Sequence, residues 1–185
     1  LDQRIYNKKV FGTSFCLQYR GKIWQGAAGN LSTGSRFFIA STTKLFVTAL
    51  LLHFRSKNIL QLEDSITSYL APATLKDLHL LKGKEYTSSI SILHLLAHTS
   101  GIPDYFQHKD RQGNSFEKEI IQGNDRSWTF EEVIEYSKKL SPLFPPGQTG
   151  KAHYSDTNFQ LLGKIIENIS GLSLDKNLND HIIQP

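Results

Sequence analysis

The sequence predicts an α+β fold in which a strand hairpin and a central buried helix come first and a mainly helical region follows. Two runs, 10–19 and 22–28, are rich in aromatic and β-branched residues and are joined at Arg20-Gly21, which is typical of a hairpin. The segment from Ser41 to Arg55 has no Gly or Pro and is apolar nearly all the way round, which favours a helix buried on several sides. After it, strand patterns almost vanish.

The later helices have their own start and stop signals. Ser91 is a good N-cap for a helix over 91–97, and Thr129 with Glu132 forms a capping box for a helix over 129–140. A helix over 155–170 carries apolar residues on one face and has Gly171 as its stop. The chain therefore reads as helices separated by polar connections.

We expect three regions in the chain. Residues 1–60 form the N-terminal part of a sheet domain, 61–170 a helical domain, and 171–185 the start of a return to the sheet. Two or three strands rarely make a stable face on their own. The sequence therefore predicts that further strands of this sheet lie beyond Pro185.

Composition excludes several classes of function. The 185 residues carry a net charge of +4 and the basic residues are scattered, so no nucleic-acid-binding stripe is present. Cys16 is the single cysteine, which excludes an intrachain disulfide and a Cys-rich zinc site, and it is expected to be a small core residue. The longest apolar stretch, 45–52, is too short to span a membrane.

The pattern Ser-x-x-Lys occurs three times, and its context separates the copies. Ser115 lies in a polar stretch that predicts a solvated helix face, and Ser173 follows Gly171 as an expected N-cap. Ser41 instead stands between an apolar strand, 37–39, and the first turn of the helix that is predicted to be buried. This copy is therefore the candidate for chemistry.

Ser41 and Lys44 have the arrangement that acyl transfer needs. A serine at a helix N-terminus has its backbone N–H free for an oxyanion, and the helix dipole favours negative charge there. Lys44 falls on the same face one turn later, and burial is expected to lower its pKa so that it can exchange a proton with the hydroxyl. An equally open alternative is that Ser41 caps the helix and Lys44 extends along the surface.

Tyr154 and Asp156 form a second candidate element at the start of the helix over 155–170. A phenol at such a junction can project into a cleft, and a neighbouring ammonium, for which Lys44 is the candidate, would help it act as a base. The alternative is that Tyr154 is a packed aromatic residue and that Ser155 or Asp156 only caps the helix. Asp156 can cap the helix and also touch substrate.

Four phrases stand out in order along the chain: FIASTTK at 38–44, SILHLLAHTSGIP at 91–103, FPPG at 144–147 and YSDTNFQLLG at 154–163. Together they resemble a known family, the serine β-lactamases and penicillin-binding proteins, and within it the branch of class C β-lactamases, D,D-carboxypeptidases and related esterases. With the strand pair included, the likeness covers nearly the whole chain.

The resemblance implies a β-lactamase/transpeptidase-like fold in which Ser41 is acylated while Lys44 and Tyr154 transfer the proton. It leaves open which of the two is the base. Asp156 stands where the family usually has asparagine, so it is expected to bind substrate but cannot donate a hydrogen bond to a carbonyl when ionised. The family's third motif, of the Lys-Thr-Gly or His-x-Gly type, is absent from the sequence, so we expect a fragment that is inactive alone.

The expected function is that of a serine hydrolase acting through an acyl-enzyme on a β-lactam, a D-Ala-D-Ala peptide or a small ester. No cofactor and no nucleic-acid partner are implied, and the substrate class suggests a place outside the cytoplasmic membrane. The alternative is a catalytically inactive relative that binds peptides or serves as a scaffold. A zinc site at His94 and His98 is disfavoured because no general-base glutamate lies between them.

Overall fold

The computed structural model describes residues 10–124 and 126–184, and the chain divides into two compact units, Leu1–Ser41 and Thr42–Pro185. The first unit holds a two-stranded sheet, and the second holds most of the helices.

The predicted hairpin is confirmed in the first unit. Strands β1 (Gly12–Tyr19) and β2 (Lys22–Gly29) are antiparallel, and their register runs from the pair Gly12 and Gly29 to the pair Tyr19 and Lys22. Arg20 and Gly21 both have positive φ, 47° and 76°. Two such residues form the kind of turn whose twist matches the strands, and this fixes the register.

One face of this hairpin is apolar and exposed. Phe15, Leu17 and Tyr19 alternate along β1, and Trp24 is the cross-strand partner of Leu17, so these four side chains share a face. Each of the four is between 46% and 59% exposed. Gly26 lies opposite Phe15, whose ring crosses it so closely that a Cβ there would come within 2.4 Å of the ring.

Two predictions for this unit are wrong. Cys16 is exposed rather than buried, because side chains on both faces of this two-stranded sheet are exposed in the part of the chain that the structure describes. Residues 37–39 do not form a strand, and their side chains are exposed. An apolar run alone does not make a strand, because a strand also needs a hydrogen-bonded partner.

Helix α1 (Thr43–Ser56) opens the second unit after a short 3-10 turn, Ala40–Thr42. Val47, Leu50, Leu51 and Phe54 are buried at the spacing of one helical stripe. The prediction that this helix is buried on several sides is wrong, because the opposite side carries the exposed Leu45 and Leu52. Helix α1 thus buries one face among the described residues and exposes apolar side chains on the opposite face.

The other helices follow the predicted caps. Ser91 and Thr129 each complete a capping box, and Gly171 ends the long helix with φ 71°. The helices after α1 are α2 (Pro72–Leu75), α3 (Ile92–Leu96), α4 (Phe116–Ile121), α5 (Phe130–Lys139), α6 (Asp156–Ser170) and α7 (Leu174–Leu178), followed by a π-helical turn, Asn179–Ile183.

A small hairpin between α2 and α3 was not predicted. Strands β3 (Leu80–Leu81) and β4 (Lys84–Glu85) pair through a turn at Lys82 and Gly83, which both have positive φ. Strands of two residues are too short to show an alternating pattern, so the sequence offers no periodic signal for them.

Helix α6 is the central helix of the second unit. The sequence had instead predicted that the helix beginning at Ser41 would be central. Helix α6 packs against α1, α3, α5 and α7, whereas α1 packs against α6, α7 and the π-helical turn. Leu161, Leu162, Ile165 and Ile166 of α6 are fully buried. Burial of each such side chain stabilises the fold by about 1.5–3 kcal/mol, so the position of α6, and with it the position of Asp156 at its first turn, is strongly held.

Candidate active site

Lys44 and Asp156 are brought together from positions far apart in the sequence. Lys44 lies in the first turn of α1, Asp156 is the first residue of α6, and the two helices pack against each other. The ammonium Nζ of Lys44 lies 2.5 Å from Oδ1 of Asp156, and the two side chains are 18% and 27% exposed. This is a close, partly buried ion pair.

Tyr154 lies beside this pair. It stands immediately before Ser155, the N-cap of α6, and is half exposed. The Nζ of Lys44 lies 4.9 Å from the centroid of the Tyr154 ring and 5.4 Å from that of Phe159. Lys44 therefore meets a carboxylate, a phenol and an apolar ring in one place.

The charge state of Lys44 differs from the prediction. Burial lowers the pKa of Lys44, as expected, but the hydrogen bond and charge of Asp156 and those of Tyr154 together outweigh burial, so its pKa is raised. The expectation of a lowered pKa is wrong because burial was considered without the carboxylate that accompanies it. Lys44 is an ammonium at neutral pH.

Ser41 lies in the 3-10 turn Ala40–Thr42, directly before α1, and is exposed. The N-cap of α1 is Thr42, whose side chain makes no capping hydrogen bond, so Ser41 is not the residue that caps this helix. Ala40 has φ 46°, a left-handed conformation that costs a non-glycine residue about 1–3 kcal/mol, so the surrounding contacts must hold the backbone directly before Ser41.

Asp104 anchors the start of α6 and was not singled out by the sequence. It is buried, and its carboxylate accepts hydrogen bonds from the backbone N–H of Asp156 at 2.9 Å and of Gln107 at 3.1 Å. Ser155 and Thr157 each donate a hydroxyl hydrogen bond to the carbonyl of Pro103. The segment 103–107 thus holds the backbone on which Asp156 stands.

An open cleft of about 520 Å³ lies next to Tyr154. It is bordered on one side by the loop that follows Pro103 and on the other by the residues just before α6. Its lining residues are Asp104, Gln107, His108, Lys109, His153 and Tyr154.

The other two Ser-x-x-Lys copies have structural roles. Ser173 caps α7, as predicted, and accepts from the backbone N–H of Lys176. Ser115 caps α4 and is buried, so the prediction of a solvated face is wrong. The cause is tertiary, because Phe116 packs against the rings of Tyr105, Trp128 and Tyr136 and carries Ser115 inward.

His94 and His98 do not share a helical face. His94 belongs to α3 and its Nδ1 accepts the backbone N–H of Ser91 in the capping box. His98 lies beyond the helix end with φ 57°. Within residues 10–124 and 126–184, no group of three or more His, Cys, Asp or Glu side chains is placed to hold a metal ion.

Comparisons with known proteins identify the family of the chain. Over residues 1–185 the chain matches the family described as Beta-lactamase, and it belongs to that family. It is 30% identical to the N-acetylmuramyl-L-alanine amidase of Bacillus subtilis strain 168, and 28% identical to a protein of Escherichia coli strain K12 named "Putative D-alanyl-D-alanine carboxypeptidase". Both alignments cover all of this chain but only 38% and 39% of the relatives.

Solved structures show the same fold. A D-stereospecific amidohydrolase from a Streptomyces species superimposes with a TM-score of 0.81 at 26% identity, over 96% of this chain and 50% of that one. The fold is therefore α+β and of the β-lactamase/transpeptidase type, and the chain is part of a hydrolase family of that fold. Among the described residues, no helix is both long and apolar enough to cross a membrane.

Proposed function

We propose that the full-length protein is a serine hydrolase that works through an acyl-enzyme formed on Ser41. The observation that carries this proposal is the convergence of Lys44, Tyr154 and Asp156, since an ammonium, a phenol and a carboxylate meet at the first turn of the helix that Ser41 precedes. Family membership makes hydrolysis the expected chemistry, and these side chains are the groups that we expect to perform it.

The charge of Lys44 decides how the proton is moved in this proposal. Because the pKa of Lys44 is raised, Lys44 is protonated and cannot accept a proton, so we assign the role of base to Tyr154 in its phenolate form. Asp156 holds the Lys44 ammonium in place beside the Tyr154 ring. Ser41 Oγ then attacks the substrate carbonyl as its proton passes to Tyr154, and the same proton is later given to the leaving group.

The substrate in this proposal is an amide, peptide, β-lactam or ester small enough for the cleft beside Tyr154. The relatives' names point to cell-wall and D-configured amide substrates. Asp156 meets the substrate as an acceptor, so it favours a substrate N–H or ammonium group over a carbonyl oxygen. Such substrates lie outside the cytoplasmic membrane, and we propose that location for the protein.

We also propose that the remaining sheet strands come from a part of the protein outside these 185 residues. The chain spans about two fifths of the length of the curated relatives, and the apolar face of β1 and β2 is exposed. The return predicted for 171–185 is supported by ring contacts of His181 with His53 and Phe54 of α1, at 5.3 and 6.0 Å. On this proposal, 1–60 and 171–185 belong to the sheet domain and 61–170 to the helical one.

A fluorescent penicillin or phosphonate probe on the full-length protein tests the nucleophile. We expect covalent labelling of the wild type and none of Ser41→Ala, because the labelled oxygen is gone. Ser173→Ala is the matched control, since Ser173 heads another Ser-x-x-Lys copy and caps α7, and it should label like the wild type. Labelling that survives in Ser41→Ala would overturn the assignment.

The ion pair between Lys44 and Asp156 also suits a relative that binds peptides without turnover. In such a protein the pair would only hold the start of α6 against α1. The same labelling experiment separates the two functions, because a wild type that binds the probe reversibly but never covalently would be a binding protein.

A further inference from the structure

His98 touches the chain on both sides of Tyr154. Its backbone carbonyl accepts the backbone N–H of His153 at 2.8 Å, and its ring Nδ1 accepts the backbone N–H of Ser155 at 3.1 Å. The residues before and after Tyr154 are therefore both hydrogen-bonded to one residue. These two hydrogen bonds leave the backbone of Tyr154 little freedom to move.

The ring of His98 also packs on the ring of Tyr154. The two ring centroids are 4.5 Å apart, and the ring planes are inclined by 31°. The ring of Phe159, a residue of α6, has its centroid 5.5 Å from that of His98. An offset stack of this kind restricts the rotation of a half-exposed phenol. His98 thus restrains both the backbone and the side chain of Tyr154.

His98 is itself held by a buried network. Asn158 is fully buried, and its Nδ2 donates to His98 Nδ1 at 3.2 Å while its Oδ1 accepts from Ser100 Oγ at 2.8 Å. Since Nδ1 accepts from two donors, the ring proton of the neutral form is on Nε2. The left-handed φ of 57° at His98 is a further cost that the surrounding contacts offset.

We propose that His98 is the positioning residue for Tyr154: its carbonyl and Nδ1 fix the two neighbours of Tyr154, and its ring fixes the phenol beside Lys44. The inference rests on the proposed function, because that function makes Tyr154 the base whose position matters. His98 itself touches neither substrate nor the reacting atoms, and it acts through Tyr154 alone.

This role requires a neutral His98. Burial lowers its pKa, and the charge of Lys44 lowers it further. A protonated ring could not accept from Ser155 and Asn158, and it would place a second positive charge near Lys44. The other titratable groups that face the ring are Asp156, His153, Asp104 and Tyr154.

Two substitutions separate the contacts of the His98 ring from those of its Nδ1 atom. His98→Phe keeps a ring but removes the Nδ1 acceptor, whereas His98→Asn keeps an acceptor and tolerates a positive φ.

The kinetic expectation uses a substrate that acylates the wild type. We expect His98→Phe to lower kcat about 10- to 100-fold, because one or two hydrogen bonds are lost, and to change KM by less than about threefold. His98→Asn restores an acceptor but not the ring, so it should recover only the part of the rate that depends on these hydrogen bonds. His181→Phe, at an exposed histidine on the π-helical turn, should match the wild type.

The second measurement reads Tyr154 directly in the full-length protein. With ¹³Cζ-labelled tyrosine and Tyr154→Phe for assignment, the Tyr154 resonance should move as wild-type His98 titrates below about pH 6.5. That step should disappear in His98→Asn, and the resonance should be displaced in His98→Phe at all pH values. A role limited to stability would lower the melting temperature and leave the resonance unchanged.

The outcomes separate this inference from the proposed function. A wild type that is never acylated at Ser41 removes the proposed function, yet the Tyr154 resonance still decides the role of His98. Wild-type acylation together with an unchanged resonance and rate in the folded His98 variants overturns the positioning role. If His98→Phe does not fold, the titration step decides, and its persistence in His98→Asn overturns the role.

Discussion

Lys44 shows how one residue's chemistry depends on a neighbour that the sequence does not reveal. Burial alone would lower its pKa, but Asp156 at 2.5 Å reverses the direction. Asp156 stands where related proteins are expected to carry asparagine, so this site has an extra negative charge at its centre. The resemblance identified the position, and only the distance showed that the carboxylate pairs with the ammonium.

Replacing Asp156 by asparagine should change the pH dependence of the activity proposed for the full-length protein. The largest influence that raises the pKa of Lys44 is the Asp156 hydrogen bond, so Asp156→Asn should lower that pKa. Since we propose a charged Lys44, the alkaline limb of kcat/KM should move to lower pH. The measurement is a pH-rate profile of the full-length protein, with Asp180→Asn in the exposed pair with Lys176 as the control. An alkaline limb that stays in place would contradict the assignment.

Among the secondary-structure elements, the sequence predicted the ends of the helices best. Ser91, Thr129 and Ser173 cap helices where they were expected to, and Gly171 ends α6. Capping depends on a side chain and a backbone N–H within three residues, so the signal is local. Two of the wrong predictions, for 37–39 and for Ser115, concern the residues that pack against the segment, which local rules do not contain.

Two glycines allow local and tertiary constraints to be compared. Gly101 and Gly171 have similar positive φ, 77° and 71°, but a Cβ at Gly101 would lie 2.0 Å from the carbonyl oxygen of Phe144, whereas at Gly171 it would meet nothing within 4 Å. Gly171→Ala should therefore cost about 1 kcal/mol from backbone strain, and Gly101→Ala roughly 3 kcal/mol or more because a clash is added.

Urea unfolding of the two glycine variants of the full-length protein checks this difference. Gly171→Ala serves as the matched control, because it has the same change of side chain and almost the same φ. Equal free energies of unfolding for the two variants would show that the close approach of Gly101 to Phe144 does not constrain the fold.

The whole molecule should lose stability in mild acid. Burial lowers the pKa of His79, His98 and His153 below the ordinary value of 6.5. Between these lowered values and 6.5 the unfolded chain binds more protons than the folded one, so the free energy of unfolding falls as pH falls through this window. Carboxyl groups with lowered pKa, such as Asp64, act only below about pH 4.

Thermal unfolding of the full-length protein at pH 7 and pH 5 tests this expectation. The melting temperature should be lower at pH 5, and His79→Gln should reduce the difference because His79 is fully buried and bonded to the carbonyl of Phe144. Equal melting temperatures at the two pH values would contradict the proposed acid sensitivity.

The hairpin, the capped helices and the family resemblance could all be predicted from the amino-acid sequence, and so could the candidate site residues Ser41, Lys44, Tyr154 and Asp156. Turns, caps and periodic apolar faces act over a few residues, so they can be recognised in one dimension. The charge of Lys44, the central place of α6, the burial of Ser115 and the position of His98 against Tyr154 emerged only from the packing of the folded chain. These depend on side chains that are distant along the chain, and only packing brings them within bonding distance.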